Sequence, residues 1–292
     1  MFLQGSFVVF LSLLCALQAA STRQPSRKRV AIHDDVCAKC HPGAPLPDRS
    51  TEFIQQLMTT LCGDSATVVS GRQPYGAFVA QMFQALRNSS YIPGNKLAVA
   101  RMLADRGGLW LEFGVFRGHT INYLALAYNG TVVGFDSFKG LPEQWRPAIG
   151  ALKGATQKGS FNLNGRLPKV KANVRLIKGL FEDTLPRFVQ RLNRSRYVSL
   201  LHVDCDLYSS SKTVLKHVGP LLRPGSVVVF DELIHYVEYR NHELKALYEL
   251  LAESGAQVEV LGFSGTHVQS DPQGEMQPQS VAVRLCSSYK PP

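Results

Sequence analysis

Trp110-Leu-Glu-Phe-Gly-Val-Phe-Arg-Gly118 and, about ninety residues later, Leu201-His-Val-Asp-Cys-Asp-Leu-Tyr208 decide how this chain is read. The first is an apolar strand that runs into a glycine turn and then a helix. The second is an apolar strand that ends in two carboxylates. Asp136 follows a third apolar run and Asp231-Glu232 a fourth, so acidic groups gather at the carboxyl edge of one parallel sheet. In open α/β sheets that edge is where nucleotides bind and chemistry is done. The pattern points to an enzyme with a nucleoside-containing ligand.

Strand and helix signals alternate on either side of these stretches. Helical spacing covers 51–62, 76–87 (Phe78, Met82, Phe83 and Leu86 on one face) and 96–106, where Gly107-Gly108 stops it. Strands are expected at 109–113, 131–135, 174–177, 197–203 and 226–230, with helices at 119–128, 184–192, 211–222 and 242–253. Apolar runs such as Val227–Phe230 within 226–230 are the mark of central parallel strands. Two further strands, 258–262 and 280–285, are joined by a long polar loop. No repeat and no second folded domain is needed.

The N-terminus reads differently. Phe7 to Leu17 is almost wholly apolar and is followed by Ala19, Ala20 and Ser21, the layout of a signal-peptide core and cleavage region. No Lys or Arg precedes the apolar run, and Arg23, Arg27, Lys28 and Arg29 follow it. An uncleaved anchor tethering a lumenal domain to a membrane therefore stays open beside a cleaved signal over 1–21. Secretory entry, lumenal or secreted, is the expectation, with an organelle transit peptide as the alternative. Three glycosylation sequons, at Asn88, Asn129 and Asn193, agree with that route. Residues 22–50 form an irregular Pro-rich arm, and 51–106 a helical extension or lid over the domain at 107–288.

Without Cys15 of the leader, five cysteines remain: Cys37, Cys40, Cys62, Cys205 and Cys286. Cys37-Ala-Lys-Cys40-His41 has the spacing of haem attachment. It sits in a polar arm with no helical frame for a porphyrin, so a disulfide involving Cys62 is preferred in an oxidising compartment. Cys205 reads as a small buried filler. The net charge of +10 is concentrated: residues 139–196 carry thirteen Lys/Arg against Glu143, Glu182 and Asp183, and the rest of the chain balances. A basic rim of this kind suits an anionic acceptor or a membrane surface. The charges lack interleaved aromatics and any binding motif, which argues against nucleic acid.

Gly114 and Gly118 allow a tight turn whose N–H groups approach a ligand at a helix start. The spacing is not the G-x-G-x-x-G of dinucleotide folds. Glu112, just before the turn, is placed to accept from a ligand ammonium, and Asp136 to take both ribose hydroxyls. Asp231 and Glu232 end a strand beside that of Asp204, so three carboxylates can reach one hard dication. Asp206 is expected to cap the helix that begins near Ser209. His235 and His242 are candidate bases for an acceptor hydroxyl.

These blocks resemble class I S-adenosylmethionine-dependent methyltransferases, and more narrowly the metal-dependent sugar O-methyltransferases of the macrocin O-methyltransferase type. The matching segments are Leu111–Gly118, Gly134-Phe-Asp-Ser-Phe-Lys-Gly-Leu-Pro142, Gly179-Leu-Phe-Glu-Asp-Thr-Leu-Pro186, His202–Ser210 and Val229-Phe-Asp-Glu232. The resemblance spans roughly Gly108 to Leu251, about half the chain. It implies a Rossmann-like α/β fold with seven strands, helices on both faces and a C-terminal antiparallel hairpin. It further implies that Glu112, Gly114, Gly118 and Asp136 hold S-adenosylmethionine, with Ser137, Phe181, Glu182 and Asp183 bordering the adenine. Asp204, Asp231 and Glu232 match the family's Mg²⁺ positions, with Asp204 also catalytic. The last of these is usually Asp or Asn, so Glu232 is a methylene longer. The implied reaction is Mg²⁺-assisted O-methylation of a sugar, glycan or glycoside hydroxyl. Two competitors are a lumenal binding protein that keeps the fold without catalysis, and an NAD-linked oxidoreductase, which the glycine spacing disfavours.

Overall fold

Strands that are apolar on both faces must be covered on both faces, and that is the arrangement observed. A computed structural model of the protein describes residues 61–62, 65–92, 95–146, 156–264 and 278–289. The expected leader at 1–21, arm at 22–50 with Cys37 and Cys40, and most of the helix at 51–62 lie outside the described residues. Among the described residues no helix is long and apolar enough to cross a membrane.

Eight strands form one sheet: β1 (Val68–Ser70), β2 (Leu109–Phe113), β3 (Val132–Asp136), β4 (Val174–Lys178), β5 (Val198–Val203), β6 (Leu222–Phe230), β7 (Gln257–Ser264) and β8 (Ser280–Leu285). Their order is β1-β7-β8-β6-β5-β2-β3-β4. Strands β6, β5, β2, β3 and β4 run parallel, while β8, β7 and β1 pair antiparallel. The chain leaves β2 toward β3 on one side, and β5 lies on the other. The switch in winding therefore falls between β2 and β5, the place where such sheets open a crevice.

The helices are α1 (Tyr75–Asn88), α2 (Ala98–Leu103), α3 (His119–Ala125), α4 (Phe181–Gln190), α5 (Tyr208–Val218) and α6 (Glu243–Ser254). One core joins Leu111 and Phe113 of β2, Leu201 and Val203 of β5, and the apolar faces of α1, α4, α5 and α6. Because strand side chains alternate, Trp110, Glu112, Leu200 and His202 face the other way. Trp110 stacks on Tyr128 there, with centroids 4.4 Å apart, and Thr120 of α3 donates to Glu112.

The sheet has eight strands where seven were expected. The additional β1 has only three residues, too few to show alternation, and exists by pairing with β7. Helix α5 begins at Tyr208 rather than Ser211, and α2 is shorter than 96–106. Cys62 forms a disulfide with Cys286, just beyond β8, while Cys205 is free and buried.

Candidate active site

The glycine turn is built by close approach. Gly114 follows β2 with φ +89°, and a Cβ there would lie 1.6 Å from the backbone oxygen of Asp204. Only glycine lets the ends of β2 and β5 converge in this way. Gly118, at φ +80°, closes the turn, its N–H donating to Val115 O at 2.8 Å, and precedes α3. Phe116 and Phe138 also hold positive φ, 45° and 54°, a conformation that is costly for bulky residues and tends to cluster at functional sites. The restraint comes from Asp136 at the end of β3. Its Oδ2 accepts from Val115 N (2.9 Å) and Phe116 N (2.8 Å), and its Oδ1 from Phe138 N (2.6 Å). Asp136 thus ties together two loops, in addition to facing the crevice.

A cavity of about 370 Å³ opens at the switch point, within the range of small-molecule sites. Gly114, Phe116, Asp136, Ser137, Phe181 and Glu182 line one end, and Asp204, Asp206, Asp231 and Glu232 the other. Gly118 shapes the turn without lining the cavity, and Asp183 lies outside the lining as well.

The three expected metal positions do not converge as one set. Among the described residues two clusters of ligand atoms form, and Asp204 belongs to both: His202–Asp204–Asp231 and Asp204–Asp206–Glu232. The point between Asp231 and Asp204 is taken by a lysine. Lys96, two residues before α2, ion-pairs with Asp231 Oδ1, and its Nζ lies 4.0 Å from Asp204 Oδ2. The second cluster lies within electrostatic reach of the buried Arg146 guanidinium, which acts on both Asp206 and Glu232. A hard dication needs several unshared anionic oxygens, and at the first cluster Lys96 already serves them. The donor set therefore does not fit the Mg²⁺ site expected from the sequence.

Asp206 is not a helix cap. The residue before α5 is Leu207, with no side-chain cap, while Asp206 has φ 62° and is buried. Its backbone turns the carboxylate back into the acidic cluster. Burial, then the neighbouring charges of Glu232 and Asp204, push its carboxyl well above the usual range. Burial raises Glu232 and Glu243 in the same direction. Glu243, at the first position of α6, accepts from Glu232 N at 3.3 Å.

Glu112 is fully buried and does not line the cavity. The register between β2 and β5 sets it opposite His202; its Oε2 lies 2.9 Å from His202 Nδ1 and its Oε1 accepts from Thr120 at 3.0 Å. Burial drives the carboxyl up and the imidazole down, each toward its uncharged form. His202 Nε2 then points at Asp231 Oδ1 (3.7 Å) and Asp204 Oδ2 (4.0 Å).

Neither candidate histidine lines the cavity. His235 Nδ1 bonds Pro278 O at 2.8 Å, and His242 is buried beside Tyr236, where burial lowers its pKa. His202, Lys96, Arg146 and Glu243 were not singled out from the sequence. One signal was available: Glu112 is the lone polar residue of β2, His202 is the lone ionisable residue of β5, and buried polar groups need partners.

Residues 111–233 match the model of a family described as a methyltransferase domain. No curated protein matches the chain. Among solved structures, the chain is similar to the calicheamicin methyltransferase CalS11, with 21% identity, 88% of this chain and 99% of that one covered, and a TM-score of 0.43. The O-methyltransferase NovP gives 21% identity over 66% and 79% of the two chains, with a TM-score of 0.42. For TomG from Streptomyces achromogenes, solved with S-adenosylmethionine, the values are 16%, 83%, 100% and 0.41. The matched stretch, residues 111–233, is the one that carries the glycine turn, Asp136 and the acidic strand ends, and what it matches is a methyltransferase domain.

Proposed function

We propose that the protein is an O-methyltransferase acting on a hydroxyl of a sugar, glycan or glycoside in the secretory pathway. One observation carries the reading. A single cavity is lined at one end by the glycine turn and Asp136 and at the other by Asp204, Asp206, Asp231 and Glu232, so a nucleoside-bearing donor and a polyhydroxyl acceptor can meet in it.

When bound, S-adenosylmethionine supplies an electrophilic methyl group on its sulfonium. The chain's residues do the remaining work. The Gly114–Gly118 turn and the carboxylate of Asp136 face the donor's polar parts, and Ser137, Phe181 and Glu182 border its base. The walls align donor and acceptor and exclude water, so that transfer proceeds in line. Asp206 takes the hydroxyl proton: it lines the cavity, and burial gives it a proton affinity above that of an ordinary carboxylate. Asp204 and Asp231 accept from the neighbouring hydroxyls of a diol.

The secretory assignment is supported by the Cys62–Cys286 disulfide and by the exposure of Asn88, Asn129 and Asn193 in their sequons. The basic stretch between Lys139 and Arg196 supports an acceptor bearing sulfate, phosphate or uronate groups. The competing reading is a catalytically inactive lumenal binding protein, which the Glu232 departure favours.

The test is calorimetric titration of the folded chain with S-adenosylhomocysteine, followed by transfer of labelled methyl to neutral and acidic oligosaccharides. The expected result is one bound S-adenosylhomocysteine and salt-sensitive labelling of acidic sugars. Cofactor binding without labelling of any hydroxyl acceptor would favour the binding protein.

A further inference from the structure

We infer that Lys96 is the resident cation of the strand-end carboxylates, and that this chain positions its acceptor without a divalent ion. The inference rests on the O-methyltransferase reading and changes what that reading requires. Lys96 Nζ pairs with Asp231 Oδ1 and stands 4.0 Å from Asp204 Oδ2. His202 Nε2 approaches the same two oxygens, at 3.7 and 4.0 Å. Two nitrogens from different segments therefore enclose the point at which an ion bridging β5 and β6 would sit.

The lysine is held there by its neighbours. Leu97 is fully buried, its N–H donates to Asn95 Oδ1 at 2.9 Å, and Ala98 N donates to Asn95 O at 2.9 Å. The Lys96 side chain is 18% exposed and that of Asp231 5%. A buried carboxylate needs a paired charge, and the ammonium supplies it from within the chain. An ammonium has three donors and no acceptor, so it holds Asp231 and orients Asp204 while both still line the cavity. Lys96 itself is not in the cavity wall. It is a positioning residue, and it occupies the space and the charge that a dication would need.

Asp206 and Glu232 lie within electrostatic reach of both Lys96 and Arg146. Arg146 is itself buried, its guanidinium carbon 3.8 Å from the Trp145 ring centroid and 4.7 Å from that of Tyr236. The acidic end of the cavity thus carries a resident cation at the cluster that joins β5 to β6.

The experiment is titration of the full chain with Mn²⁺, followed by its paramagnetic signal, with S-adenosylhomocysteine titrated in parallel with and without EDTA. Wild type is expected to bind S-adenosylhomocysteine equally in both conditions and to take up no Mn²⁺ up to about 1 mM, the weak end of built oxygen sites. Lys96→Met is expected to gain one Mn²⁺ and to recover with Mn²⁺ a melting temperature lost without it. Lys96→Arg, which keeps the charge, should behave as wild type. A lysine that merely braced the fold would not, when removed, create an ion site.

Stoichiometric Mn²⁺ on wild type that binds S-adenosylhomocysteine would overturn the inference and leave the methyltransferase reading standing. Absence of S-adenosylhomocysteine binding would overturn both. Should Lys96→Met fold poorly, Lys96→Met combined with Asp231→Asn removes both charges. A double variant melting above the single variant supports the pairing, and one melting no higher refutes it.

Discussion

At one end of the cavity the polar groups are backbone N–H donors of a glycine turn, gathered by the single carboxylate of Asp136. At the other end they are side-chain carboxylates, gathered by Lys96, His202 and Arg146 from segments far apart in sequence. The first end is assembled by local chain geometry and by one strand pair. The second exists only when four regions of the chain have packed. The two ends should therefore fail differently when mutated.

The largest effect is expected where the ends touch. Gly114→Ala would place a methyl 1.6 Å from Asp204 O at a positive φ. A loss of about 3 kcal/mol or more in stability is expected from strain and overpacking, together with loss of S-adenosylhomocysteine binding. Denaturant unfolding and calorimetry measure both, and a native-like variant would mean that the strands do not approach so closely.

Asp136→Ala comes next. It orphans three backbone donors that hold Phe116 and Phe138 at positive φ, at a cost of roughly 1.5–3 kcal/mol per charged hydrogen bond before relaxation. Lowered stability and weakened cofactor binding should appear together, so this variant is no clean binding control. Asp231→Asn, at the other end, should leave S-adenosylhomocysteine affinity within about threefold and cut methyl transfer instead, since affinity and rate respond to different contacts. Equal loss of affinity in Asp136→Ala and Asp231→Asn would erase the distinction between the ends.

The Cys62–Cys286 bridge closes most of the described chain. Its removal by Cys286→Ser should cost about 2–4 kcal/mol, as disulfides closing long loops do, with no change in cofactor affinity per folded molecule. A thermal melt with and without reductant reads this directly.

pH sharpens the contrast further. Burial raises the carboxyls of Asp206, Glu232 and Glu243 in the folded state. The folded chain therefore holds protons that the unfolded chain has released above the ordinary carboxylate range. Stability contributed by these groups is greatest below their unfolded pKa and declines as pH rises toward the raised values. Methyl transfer, which needs Asp206 ionised, should increase over the same interval. Asp206→Asn should flatten both profiles, and an unchanged rate profile would remove Asp206 as the proton acceptor.

The smallest effect distinguishes two roles for Glu112. Hydrogen-bonded to His202 and Thr120, and pushed by burial toward its uncharged form, it should tolerate Glu112→Gln with less than about 1 kcal/mol lost, the scale of one neutral hydrogen bond. A cofactor affinity reduced tenfold or more would instead return Glu112 to the ligand ammonium, as the sequence suggested.

Sequence alone established the parallel sheet, its strand ends and the glycine turn. Those features depend on periodicity and on backbone conformation within a few residues, as in the apolar runs of Leu109–Phe113 and Val198–Val203 and in Gly114. It also brought Asp204, Asp231 and Glu232 to one edge, because each directly follows a strand or its turn. Tertiary structure decided what those carboxylates face. Whether Asp231 meets a metal ion or Lys96, and whether Asp206 caps α5 or turns inward at φ 62°, depends on segments that register cannot reach. Adjacent strand ends meet through repeating backbone geometry, whereas the partner of a buried charge is whatever side chain packing delivers. In this chain packing delivers a lysine from just before α2.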